Sequence, residues 1–463
     1  MLEQKLVSEV LHFARAGGAE FADLFVEDCV SSYLQVLNGN VKAASGGNDF
    51  GVGIRALYGT KVVYAYTNDL SRDGLREIAQ AVARANGFAG EVDAGGAGGL
   101  DFRVASPKRL YRVSQHPLET RKADKLALAR RAGDAARVGA VKTVDARYFD
   151  WVQRVLIANS DGDWVEDERV YSRLMVNAIA EDGTQRSNGY SGPGTGMGLE
   201  FFAGDLPERT GAEAARIANA MVNAGFAPAG TIPVVVGNGF GGVIFHEACG
   251  HILETTAIEK KASVFADKIG QRIAHSSLSA VDDGTIPGAW GSINVDDEGM
   301  PSQRTVLIEN GILKNYMSDK VGEMKTGYAR TGSGRRQNYT FAPASRMRST
   351  EILNGPETPE SLIKQVKYGL YARKMGGGSV SPGTGDYNFS VDEAYIIRDG
   401  EICEAVRGAA LVGNGARDLL NIVGVAGDLT RGQGMCGSVS GSIPTDVGQP
   451  HILISEITVG GRS

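Results

Sequence analysis

Leu6, Val7, Val10, Leu11 and Phe13 recur at three- and four-residue spacings within residues 2–16, the stripe of an amphipathic helix that ends at Gly17-Gly18. From residue 21 to residue 66 the pattern changes to short β-rich runs, LFVEDCV, SYLQVL, GVGIRALY and KVVYAYT, separated by turn residues. A meander therefore follows a helix. Residues 75–85 and 122–137 read as helices with a glycine-rich linker around residues 94–99. Residues 141–199 return to strands, with turns at Asp161-Gly162 and Asp182-Gly183, and residues 213–223 are helical again. The Pro and Gly cluster AGFAPAGTIP, residues 224–233, suits neither a helix nor a central strand and marks the boundary. Beyond it, TIPVVVG is a buried-strand pattern, residues 242–261 a helix, and most of the rest β, with turns at Asn310-Gly311 and Asp399-Gly400. The expected class is α+β: an N-terminal α/β domain over 1–225, with helix and antiparallel strands, and a β-rich C-terminal domain over 226–463.

Composition narrows the function. The 63 glycines among 463 residues are about twice the average share without a collagen-like period, so many tight turns and close backbone approaches follow. Lys plus Arg number 48 against 54 Asp plus Glu, a net charge of -6 with no long single-sign block, which counts against nucleic acid as the main partner. No apolar stretch reaches the roughly 20 residues of a spanning helix. The start, MLEQKLVSEVLHFARAGG, carries charges where a signal peptide is apolar, so the expectation is a cytoplasmic protein with no membrane partner. Four cysteines, Cys29, Cys249, Cys403 and Cys436, in so long a chain read as thiols or ligands rather than a disulfide framework.

The informative hexapeptide is His246-Glu247-Ala248-Cys249-Gly250-His251. Two imidazoles are metal ligands, and an adjacent carboxylate can deprotonate a metal-bound water, which makes Glu247 the candidate general base. On a regular helix the i to i+5 spacing swings the second histidine about 140° round from the first. One extra residue in the turn, as in a π-bulge eased by Gly250, brings both to one side, so a bulged or kinked helix is predicted. A tetrahedral catalytic zinc takes three protein ligands and keeps the fourth position for water. Cys436, in the glycine-rich loop GQGMCGS, is the leading third ligand, with Glu254 as the fallback. The competing reading is two ordinary histidines on a helix, the pattern having arisen by chance.

Lesser signals compete for attention. Gly237-Asn238-Gly239-Phe240-Gly241-Gly242 after Val234-Val235-Val236 matches the dinucleotide-binding G-x-G-x-x-G, but the acidic residue about 20 positions on, Glu259, falls in a helical charged run. A dinucleotide-binding oxidoreductase would need those glycines to open an undistorted helix in a parallel sheet. Arg335, Arg336, Arg346 and Arg348 form a basic loop suited to a peptide carboxylate, a solvated surface being the simpler reading of at least two of them. Gly376 to Gly378, and Gly383 with Gly385, suit either ordinary turns or the border of a cleft where an extended peptide adds as a strand. Cys249 reads as a buried packing residue, and Cys29 and Cys403 as inert core thiols. His12, His116, His275 and His451 have no partners at metal spacing.

The segment VIFHEACGHILE resembles the H-E-x-x-x-H helix of TldD-type peptidases of the TldD/PmbA family, and GMCG resembles that family's C-terminal cysteine loop. The likeness continues through residues 334–356 and 376–415 and includes the N-terminal helix and meander, so it covers most of the chain. What the resemblance implies is a metallopeptidase holding one Zn2+ per catalytic chain through His246, His251 and Cys436, with Glu247 as base. It also implies an enclosed dimer chamber that admits unfolded or leader peptides. The dimer would form with a second copy or with a metal-free PmbA-type paralogue. The rival reading within the same fold is a catalytically silent partner subunit.

Overall fold

The structure is a computed structural model describing residues 2–87, 89–90, 99–381 and 383–461. Of the linker expected around residues 94–99, only Gly99 lies within the described residues.

The first sheet is built from β1 (Phe21–Leu37), β2 (Asn40–Tyr58), β3 (Lys61–Thr67), β4 (Arg103–Ala105), β5 (Val141–Asn159), β6 (Asp163–Asp182), β7 (Gln185–Ser191) and β8 (Gly194–Thr195). Its order is β3-β2-β1-β5-β6-β4, with β7 and β8 also on β6 and only β4 parallel to its neighbour. β1, β5 and β6 run for 17, 19 and 20 residues, long enough to serve two separate cores. At one end α1 (Gln4–Arg15) and α2 (Arg72–Arg84) pack Val10, Leu11 and Leu75 against Leu24 and Ile54. At the other, α3 (Lys122–Ala135) and α4 (Leu206–Met221) pack on Leu34, Val36 and Leu174. β1 is one strand where the pattern suggested two: polar Ser32 is buried and pairs with Gly46 and Asp150 inside the sheet. α4 starts earlier than expected because Pro207 sits in its first turn, where the missing N–H costs nothing.

The C-terminal half holds two more sheets. In the first, Tyr368–Val380, Gly230–Val236, Ile452–Gly460, Ala410–Asn414 and Asp386–Arg398 pair in turn, and the last returns to pair with the first. This closed circuit leaves few free edges to aggregate. Glu401–Arg407 and Gly225–Phe226 extend it from Asp386–Arg398. The second sheet runs Ile312–Leu313, Arg304–Glu309, Ala280–Asp283, Ser349–Ile352, Gly441–Gln449, Thr430–Ser438. The helical segment after residue 239 lies in the core these sheets share, where Phe245, Ala248 and Ile252 meet Ile352, Leu411 and Ile443. The fold is α+β.

Buried charges join the two halves. Arg55 of β2 binds Asp23 of β1 and, at 2.8 Å, Glu298 of the C-terminal half. Arg169 of β6 lies 2.6 Å from Asp297, and Tyr64 donates its hydroxyl to the carbonyl of Tyr339. No helix among the described residues is long and apolar enough to cross a membrane.

Candidate metal centre

The strand Gly230–Val236 delivers the chain to Gly237, where a Cβ would come within 2.2 Å of the Arg373 carbonyl. Gly239 has φ 68°, and Gly242 packs on the backbone of Gly448. The G-x-G-x-x-G residues thus serve close packing. They open a 3-10 turn, Phe240–Gly242, and their strand pairs parallel only with Tyr368–Val380, its other neighbour being antiparallel. The undistorted helix in a parallel sheet that dinucleotide binding would need is not there.

The expected helix over 242–261 is not continuous. After Val243–Phe245, residues His246–Gly250 form a π-helical turn in which the His251 N–H donates to the His246 carbonyl, five residues back. The wide turn places both histidines on one side, as their spacing required. Gly250 lets the side chain of Met347 lie against the turn: a Cβ there would sit 2.1 Å from its sulfur. A 3-10 turn, His251–Leu253, then ends at Glu254, whose backbone is extended and bridges Met317, and a four-residue helix, Thr255–Ile258, follows. The break occurs because the backbone groups of Leu253 and Thr255 bond to Met317 rather than to a further turn.

His246 Nε2 lies 3.3 Å from Cys436 Sγ, and His251 Nε2 lies 3.2 Å from the same sulfur. The three donor atoms fall within 4.8 Å of one another. Each imidazole is held from behind: His246 Nδ1 is 3.1 Å from the Thr350 hydroxyl, and His251 Nδ1 is 3.3 Å from the Glu254 carboxylate. Such outer partners fix tautomer and ring orientation and raise ligand basicity. Glu254 therefore lies behind His251, apart from the converging trio. Burial opposes charge on both members of the His251–Cys436 pair. Even so, Glu254 and Cys436 raise the His251 pKa well above its usual range, and His246 and His251 push the Cys436 thiol well below its own. The two imidazoles thus favour the thiolate, the form of cysteine that binds metal. Glu247 Oε2 lies 3.7 Å from His251 Nε2, with its side chain 23% exposed while His246 and Cys436 are buried. It is the carboxylate beside the trio that solvent can reach.

The basic loop is not a solvated surface. Arg335, Arg336, Arg346 and Arg348 are all buried. Arg348 pairs at 2.8 Å with Asp282 in a fully buried contact. Arg346 donates to the Cys436 and Gly441 carbonyls and the Ser440 hydroxyl, and its Nε stands 4.0 Å from Glu254. It thereby ties the arm carrying Cys436 to the residue that orients His251. Sequence reasoning missed Thr350, Glu254 as an orienting group, and this clamp. The available signal was the charged segment threaded between apolar residues in SRMRSTEIL. We expect Arg346→Met to weaken metal affinity by about 10–100-fold, read by competition with a chromophoric chelator, with partial recovery in Arg346→Lys.

Cys249 is fully buried, and burial pushes its thiol up, as befits a packing residue. Cys29 and Cys403 are only partly buried rather than core; burial raises Cys29 to about 12. His451 bonds Asp428 at 2.7 Å and Tyr371 at 3.0 Å, His275 bonds Ser277, and His116 faces Glu168. Gly376 and Gly377 line a cleft of about 600 Å³ together with Gly432 and Met435, while Gly385 makes a positive-φ turn.

Three domains described for PmbA/TldA metallopeptidases match along the chain: domain 1 over residues 22–85, the central domain over 115–222 and the C-terminal domain over 229–461. The chain belongs to the PmbA/TldD metallopeptidase family. It is 38% identical to a metalloprotease TldD homologue of Haemophilus influenzae, the match covering 96% of this chain and 93% of that one. It is 31% identical to a metalloprotease of Methanothermobacter thermautotrophicus, over 96% of each. Two solved structures share the PmbA/TldD fold at low identity. TldE from Thermococcus kodakarensis has a TM-score of 0.77 at 18% identity, covering 98% of this chain and 100% of that one. A protein described as a putative modulator of a DNA gyrase, from Thermotoga maritima, has a TM-score of 0.76 at 20%, covering 98% and 99%.

Proposed function

We propose that this chain is the catalytic subunit of a zinc-dependent peptidase that hydrolyses unfolded or leader peptides, in the cytoplasm. It would act inside an enclosed dimer formed with a second copy or with a metal-free paralogue. One observation carries the reading: two imidazole nitrogens and a thiolate sulfur, drawn from a π-helical turn and a distant hairpin, converge beside a partly exposed carboxylate. The donor set fits zinc, since imidazole and thiolate are its ordinary ligands and three protein donors leave one position open. Thr350 and Glu254 supply the outer hydrogen bonds such ligands need.

When bound, zinc supplies a Lewis acid that polarises the scissile carbonyl and lowers the pKa of water. His246, His251 and Cys436 would hold it. Glu247 takes the proton of the attacking water and passes it to the leaving amide nitrogen, which departs as an amine. No long-range charge field is required, and the mixed surface of net charge -6 offers none suited to nucleic acid.

Elemental mass spectrometry of the purified protein tests the reading. About one zinc per chain is expected, lost in His246→Ala, His251→Ala and Cys436→Ala. Absence of metal after zinc is supplied, with the variants binding no worse than the parent, would replace the peptidase reading with that of a silent partner subunit.

A further inference from the structure

Arg335 and Arg336 follow one another at a two-strand ribbon, Gly334–Arg335 against Ala344–Ser345, and each is 3% exposed. Arg336 is occupied by its surroundings. It donates to the carbonyls of Asp297 and Phe341 and to Tyr64, and lies over the ring of Phe25. Arg335 is different. Its Nη1 donates to the carbonyls of Met347 and Pro444, both at 2.9 Å, but no carboxylate among the described residues lies within ion-pair distance of its guanidinium. Its Nε and Nη2 have no partner among them either. A buried charge without a counter-charge is costly to a fold. Burial lowers the Arg335 pKa, and neighbouring Tyr171 and Asp297 do not make up the difference.

Arg335 lines a cleft of about 330 Å³ between the first sheet and the hairpin that carries Cys436. One wall is aromatic: Trp151 and Tyr171 stack with centroids 4.6 Å apart. The hairpin contributes Met435, Ser442 and Pro444. Glu27 and Asp49 are also in the lining, and burial holds Glu27 up to about 7. Arg169 and Arg336 also line the cleft but are occupied within the protein, so Arg335 is the cation left to a ligand, and repulsion from the two acids weighs more on a dianion such as phosphate than on a single carboxylate.

We propose that this cleft is a binding subsite for one carboxylate of a peptide, gripped by the unoccupied Nε and Nη2 edge of Arg335 beside the Trp151–Tyr171 wall. That edge presents two parallel donors, the geometry that takes a carboxylate through both oxygens. The ligand's being a peptide rests on the peptidase reading; its bearing a carboxylate rests on Arg335. A C-terminal carboxylate and an acidic side chain supply the same chemistry.

The test uses the full chain stripped of metal by a chelator, so that cleavage plays no part. Three N-acetylated tetrapeptides are titrated by calorimetry: neutral with a free C-terminus, neutral and amidated, and amidated with one aspartate. At least one carboxylate-bearing peptide is expected to bind about tenfold or more tightly than the neutral amide, and which one does identifies the carboxylate's source. Arg335→Lys keeps the charge but loses the fork, and should weaken that binding. Because Arg335 also anchors the hairpin, Ser442→Glu is the second variant: it places an intramolecular carboxylate in the cleft and should weaken binding about tenfold or more with zinc uptake unchanged. Equal binding of acid and amide forms, binding by none of the three, or affinity unaltered in Ser442→Glu overturns the assignment. Zinc loss in the ligand variants described above reports separately on the peptidase reading.

Discussion

Replacing Glu247 by glutamine is expected to slow peptide hydrolysis by about 10²–10⁴-fold while metal content stays at the parent level. The argument is positional. Glu247 follows His246 in the π-helical turn, and its carboxylate reaches to 3.7 Å from His251 Nε2 on the partly exposed side of the trio. The converging trio is His246, His251 and Cys436, three donors that would hold an ion without Glu247. Glutamine has the same shape and hydrogen-bonding reach but cannot accept a proton from water at neutral pH. Loss of turnover with zinc retained is thus the signature of a proton acceptor. A rate within about threefold of the parent would remove Glu247 from the chemistry, and loss of zinc along with activity would make it a ligand or a structural support instead. The pairing of elemental analysis with a steady-state peptide assay separates the three outcomes.

Much of this centre is legible in the chain itself, for a geometric reason. Histidines at i and i+5 cannot share a face of a regular helix, so their joint use demands a distortion, and the π-helical turn supplies it. Cys436 is visible because glycines surround it. The outer groups are not, because they are defined by partners rather than by local pattern: Thr350 meets His246 across 104 residues, and Arg346 meets the Cys436 carbonyl across 90. The same reason hides the burial of the four arginines. A run such as GRRQNYTFAPASRMRS looks solvated until Asp282, Asp297 and the hairpin carbonyls close around it. In the fold, helix and strand character are largely readable from periodicity, but Ser31-Ser32 resembles a break and is strand interior. The break at Glu254 carries no Gly or Pro to announce it; competition from the backbone of Met317 creates it.

Arg55→Met is expected to destabilise the chain by about 3–5 kcal/mol, measured as a fall in the urea midpoint at pH 8. The Arg55 side chain is fully buried between Asp23 of β1 and Glu298 of the C-terminal half, whose own side chains are 3% and 2% exposed. Burial alone would lower the Arg55 pKa, but the two carboxylates more than offset it and hold it above the usual guanidinium range. Methionine fills similar volume, so the cost is that of two buried anions left without their cation rather than that of a cavity. Glu298 cannot swing out to water without also releasing the Lys320 N–H it accepts at 2.8 Å. The deficit should depend on pH. Burial first, and the charge of Glu298 next, hold Asp296 and Asp319 up to about 7. Their unfolded pKa is near 3.9, so folding takes up protons. The stability they contribute is fully present below about pH 4 and is lost as pH rises through 7. Arg55 lowers the Asp319 pKa, so its removal pushes that carboxyl higher and favours its protonated form. The variant should therefore lie closer to the parent at pH 5.5 than at pH 8. Adding Asp23→Asn and Glu298→Gln to Arg55→Met removes the stranded anions and should recover part of the loss at pH 8. A deficit that is equal at both pH values and untouched by those additions would mean that Arg55 holds the halves together by packing rather than by charge.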